Sequence, residues 1–218
     1  MREDSPSAQP SGCSGDKARN PLKWFPLWFL PLAVVMGSVT YLPNVYLAFV
    51  VHEVGVESPS AVAMVMLADA LIGGTMALLF GRSQRYMSSN NAFIFSFSCT
   101  GSGLLIVALA PSFTMVIVGM LVFGFGIGWF VPNLMIAISR RVSQAHQGQA
   151  VGIIKGTHYL ASPLAVLAVE PISRAAGPSA AMMSGAILSF CVVLTFICIA
   201  IAPNRIRSPK NAPVAVSE

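Results

Sequence analysis

Between Trp24 and Ala202 the chain alternates long, almost uncharged apolar runs with short polar segments. This alternation restricts the fold more than any other feature. A bilayer core about 30 Å thick takes roughly 20 apolar residues per helical span, and each run is of that length. Inside hydrocarbon every backbone N–H and C=O must be satisfied within the segment, so each run has to be a helix. Only 10% of the 218 residues are charged, against about 25% in soluble domains. With a mean hydropathy of +0.73, a water-soluble globule is excluded. The expected fold class is all-α, a polytopic membrane protein with six transmembrane helices.

The runs are Trp24–Val51, Ser58–Phe80, Phe93–Ala110, Phe113–Ser139, Ala150–Val169 and Ser179–Ala202. The flanking segments 1–23 and 203–218 are polar, rich in Ser, Pro or charge, and read as disordered tails around a membrane domain at 24–202. Acidic residues Glu3, Asp4 and Asp16 argue against a signal peptide. Six spans put both ends of the domain on one side. That side receives Arg2, Lys17, Arg19, Lys23, Arg82, Arg85, Arg140, Arg141, Arg205, Arg207 and Lys210, which is 11 of the 13 Lys and Arg. The far side receives Arg174 with Glu53 and Glu57, and Lys155 lies inside a span. By the positive-inside rule both termini are expected to be cytoplasmic.

The net charge of +5 is spread over loops rather than gathered on one face, so no nucleic-acid partner is expected. Cys99, Cys191 and Cys198 fall inside apolar runs, where a thiol behaves as a small hydrophobe. His52, His146 and His158 have no companions at metal-ligand spacing, and no nucleophile or paired-carboxylate arrangement occurs. Neither an enzyme nor a cofactor or metal is expected. Gly124-x-Gly-x-Gly128 is no nucleotide loop, because no strand precedes it.

Two stretches resemble the major facilitator superfamily of secondary transporters. Gly74-Thr-Met-Ala-Leu-Leu-Phe-Gly81-Arg82 is similar to the signature that follows the second helix of each six-helix half, matching at Gly74, Ala77, Phe80, Gly81 and Arg82. Leu78 and Leu79 replace its Asp-Arg pair, which removes the charge relay used there in gating. The second stretch combines the Gly-rich run Gly124–Asn133, Ser139-Arg-Arg, Gly148-Gln-Ala-Val-Gly152 and Ser162-Pro163. It resembles the passage from fourth to fifth helix, without the antiporter signature, since Ser162 rather than Gly precedes Pro163.

The resemblance covers residues 24–202 and one six-helix half, and with the polar segment ahead of the first span it is similar to the C-terminal half. It implies alternating-access transport of a small molecule in the plasma (inner) membrane, with proton coupling. The partners implied are that substrate, protons, the lipid bilayer, and either a second copy or a separate six-helix half. The alternative is a non-transporting subunit regulating a partner transporter, or an inactive truncated remnant. The resemblance also implies that the first, second, fourth and fifth helices of the half line the cavity. The third and sixth runs contain no charge, in agreement.

Ionisable groups inside a span are costly, about 2.5–3.5 kcal/mol on insertion scales, and therefore mark function by default. Asp69 lies 12 residues before Gly81, about 18 Å along the helix and near the midplane. It is the expected proton- or ion-coupling carboxylate. Lys155, His158, Tyr159 and Ser162 follow i, i+3, i+4, i+7 spacing and share one helical stripe. Lys155, His158 and Tyr159 are expected to partner Asp69 or contact substrate, with a structural ion pair as the rival reading. Asn44 in the first span and Trp129 and Asn133 in the fourth are further cavity candidates, beside Tyr41 and Tyr46, with interfacial anchoring as the rival for the aromatics. Gly148, Gly152 and Gly156, and the pair Gly124 and Gly128, repeat every four residues. Such spacing lets helices approach closely. Contact within the half is expected, and a dimerisation face is the alternative.

Overall fold

A computed structural model describes residues 27–83 and 87–201. The expected tails at 1–23 and 203–218 lie outside the described residues. Six α-helices follow one another: α1 (Phe29–Glu53), α2 (Pro59–Ser83), α3 (Ser89–Ala108), α4 (Phe113–Ser139), α5 (Gln147–Ala176) and α6 (Pro178–Ile201). All six are long and apolar enough to cross a membrane.

The boundaries differ from the apolar runs where polar groups extend a helix. α3 starts four residues before Phe93, because the Ser88 hydroxyl accepts from the Asn91 N–H at 3.3 Å and caps a polar first turn. α5 continues past Val169 to Ala176, its last turns carrying an i,i+4 ion pair between Arg174 Nε and Glu170 Oε1 at 2.8 Å. α5 and α6 are joined by Gly177 alone, at φ 87°, a left-handed conformation that glycine adopts without steric cost.

The helices touch in the spatial order α2, α4, α3, α6, α1, α5, while α4–α5, α1–α2 and α1–α4 barely meet. The bundle is thus an open arc. Its back is α3 and α6, its tips are α2 and α5, and its hollow side is formed by α1, α2, α4 and α5, as the resemblance implies. Two apolar clusters fill the wall of the arc. One joins Phe29, Phe93, Phe97, Phe130 and Ile154 near the end that bears Arg140 and Arg141. The other joins Leu42, Leu47, Leu104, Met120 and Met182 nearer the opposite end.

Small residues set the closest crossings. A methyl at Gly37 of α1 would strike the His158 carbonyl of α5, and one at Gly128 of α4 would strike the Gly73 carbonyl of α2. The expectation of contact within the half therefore holds for Gly124 and Gly128. For Gly148, Gly152 and Gly156 it is corrected, since among the described residues no atom lies within 4 Å of where their Cβ atoms would be. α5 meets its neighbours through Ala150, Ile154, Ala161, Ser162 and Ala165, which turns that glycine row out of the bundle.

Candidate functional site

Two openings lie side by side in the hollow of the arc. The first is walled by α1, α4 and α5 and lined by Met36, Thr40, Ile127, Phe130, Lys155 and His158 among others. The second lies between α2 and α4 and includes Asp69, Gly73, Gly124 and Gly128. They share Ile127 and Val131 on α4 as a common wall.

Asp69 occupies the α2–α4 crossing. The missing side chain at Gly124 makes room for it, since a methyl there would collide with the Asp69 carboxylate and sit 2.6 Å from its carbonyl oxygen. Its Oδ1 is buried and has no hydrogen-bond partner among the described residues. A buried polar atom left without a partner is uncommon and costly, and at a cavity edge it suits an exchangeable guest such as a proton or a ligand donor.

Lys155 and His158 line the first opening from α5. His158 is held in place through its backbone: its carbonyl abuts Gly37 and accepts from Ser162 Oγ at 3.0 Å, which also donates to the Gly37 carbonyl at 3.3 Å. The expected pairing of Asp69 with Lys155 or His158 is not formed. The ion pair between Arg174 and Glu170 is the one salt bridge among the described residues, and the shared α4 wall stands between the two openings.

The other candidates separate. Tyr159 is 66% exposed and outside both openings, with its ring edge-on to His158 at 5.4 Å. Asn44 is exposed, its side-chain amide donating to the Thr40 carbonyl one turn earlier at 3.1 Å. Trp129 and Asn133 face α2 and α3 rather than the hollow. Trp129 sits among Phe80, Phe95 and Phe125, at ring separations of 5.6, 4.9 and 6.4 Å. Asn133 is buried, accepts from Ser89 Oγ at 2.9 Å and donates to the Ser89 carbonyl at 3.0 Å, tying α4 to the first turn of α3.

Two features escaped the sequence reading. Thr40 lines the first opening with a buried, unpartnered Oγ1, and a lone threonine in an apolar run carries no signal of its own. The buried Tyr46 donates its hydroxyl to Glu170 Oε2 at 3.1 Å, joining α1 to α5 across 124 residues of sequence. Glu170, four residues before Arg174, was a detectable helical pair just beyond the apolar run.

An open arc of six membrane-length helices, with Asp69, Lys155 and His158 lining the hollow between α1, α2, α4 and α5, defines a helical bundle of the membrane-spanning type. The chain belongs to the Major Facilitator Superfamily, whose family model matches residues 18–216. It is an integral membrane protein and not an enzyme. It is similar to the multidrug efflux pump Tap of Mycolicibacterium fortuitum, 24% identical over 164 residues, which are 72% of this chain and 40% of that protein. It is also similar to the multidrug efflux pump Tap of Mycobacterium tuberculosis strain H37Rv, 26% identical over 199 residues, 87% of this chain and 46% of that pump. The chain spans about half the length of these curated relatives or less.

Proposed function

We propose that this chain forms one six-helix half of a secondary transporter for small organic molecules, coupled to protons through Asp69. The observation that carries the reading is the buried Asp69 Oδ1, unpartnered among the described residues, at the edge of the hollow, on the face where an opposing helix bundle would close a cavity. Facilitator transporters bind substrate near the midplane between two such halves. A second copy, or a separate six-helix half, would supply the missing wall. The names of the relatives favour export of drug-like compounds from the cell. The positive-inside bias supports a plasma-membrane orientation with both termini cytoplasmic.

The test is uptake or export of a candidate drug substrate by the purified chain in lipid vesicles under an imposed pH gradient. Asp69→Asn is expected to abolish gradient-driven flux while inserting normally; unchanged flux from that variant would remove Asp69 from the mechanism.

A second reading, a regulatory subunit or inactive remnant, draws on Leu78 and Leu79. They stand where the family signature has Asp-Arg, and they are 85% and 46% exposed. The mass of the complex extracted gently from native membranes separates the readings. A lone chain without a partner favours the second.

A further inference from the structure

The two openings differ in charge, and the difference points to a class of ligand. Every basic group of the hollow lies on the first opening, where Lys155 and His158 stand one turn apart on α5. Neither has a carboxylate within ion-pair distance among the described residues. Of the described acidic residues, Glu170 is engaged by Arg174 and Tyr46, and Glu53 accepts from Ser179 at 2.8 Å. Glu57 lies in the α1–α2 connection, and Asp69 lies in the second opening.

A basic group within a membrane span is stabilised by an opposite charge or by hydrogen-bond acceptors. Among the described residues the fold supplies neither. It does supply a second donor, because the buried Thr40 hydroxyl has no partner among the described residues and lines the same opening. A hydroxyl and an ammonium both donate to an anionic oxygen. The remaining wall is apolar, formed largely by Met36, Ile127 and Phe130, and suits a hydrophobic body rather than a hydrated inorganic ion.

We propose that the opening between α1, α4 and α5 binds an amphipathic organic anion, with Lys155 and Thr40 on its acidic group and the apolar wall on its hydrophobic part. This deepens the transport reading, on which its place in a substrate pathway rests, by naming the chemical class that the site selects. Lys155 is the specificity-determining residue, and His158 stands beside it as a third polar group on the same opening.

The experiment is equilibrium binding to the full chain in phosphatidylcholine nanodiscs, with three radiolabelled probes of one shape: 2-naphthoate, 2-naphthamide and 2-naphthylmethylammonium. A charge-assisted hydrogen bond should favour naphthoate over the other two by about tenfold or more. Lys155→Gln should remove that preference, with an unchanged far-UV circular dichroism spectrum and elution volume reporting that the variant is folded, and Lys155→Arg should keep it. Equal affinity for the three probes, no binding of any of them, or a naphthoate preference that survives in Lys155→Gln would each overturn the proposal. Loss of pH-driven flux with the preference intact would remove the transport reading and leave this site. Intact flux with no preference would do the reverse.

Discussion

Asp69 on α2 and Gly124 on α4 are in direct contact, the carboxylate and backbone carbonyl of the first filling the space that a side chain at the second would need. The absence of a side chain at Gly124 therefore fixes where the intramembrane carboxylate sits, and together with Gly128 against the Gly73 carbonyl it lets the two helices cross closely.

Gly124→Ala is expected to force α2 and α4 apart and destabilise the bundle by about 1–3 kcal/mol, the usual range for overpacking a tight contact. Thermal unfolding in detergent measures it. Gly148→Ala is the matched control, since nothing lies within 4 Å of its Cβ position. An equal loss from both variants would mean that the α2–α4 crossing is not the tight point.

The Tyr46–Glu170 hydrogen bond joins α1 to α5 near the end that bears Arg174. Tyr46→Phe should quicken amide exchange in the last turns of α1 and α5 and leave the opposite ends of both helices unchanged. Glu170→Gln should have a similar effect, and the double variant should add little to either single one. Fully additive effects would show that the two side chains act independently.

Asn133 holds the first turn of α3 through two bonds to Ser89. Replacing it by Leu leaves the Ser89 carbonyl short of a partner and should cost about 1–3 kcal/mol of stability. Exchange should rise at residues 89–92. A variant of unchanged stability but altered substrate affinity would instead return Asn133 to the binding site.

The proposed orientation is checked by labelling. In a background without native cysteines, Glu57→Cys should react with a membrane-impermeant maleimide added outside intact cells. Arg140→Cys should react only after permeabilisation. The reverse pattern would invert the topology. Both native residues are exposed, so access is limited by the membrane and not by the fold.

Much of the architecture was legible in the residues. Bilayer thickness demands segments of roughly 20 apolar residues, and the need to satisfy every backbone group makes each of them a helix. The six runs consequently foretold the six helices, and α4 begins and ends at the expected residues, Phe113 and Ser139. The errors at α3 and α5 have one cause: polar residues such as Ser88 and the Glu170–Arg174 pair extend a helix beyond the hydrocarbon, where hydropathy says nothing.

The chemistry of the site was legible only in part. Sequence alone marked Asp69, Lys155 and His158, because an ionisable side chain in a span stands out against its surroundings. It did not determine which of them meet. In a soluble helix, polar and apolar faces reveal how the helix is rotated, but in a membrane the face toward lipid and the face toward a neighbour are both apolar, and that signal fades. Rotation is set instead by close approach at small residues such as Gly37, Gly124 and Gly128. Only the tertiary structure turned Trp129 and Asn133 toward α2 and α3, left the Gly148 row facing outward, and put Ile127 and Val131 between Asp69 and the basic pair on α5.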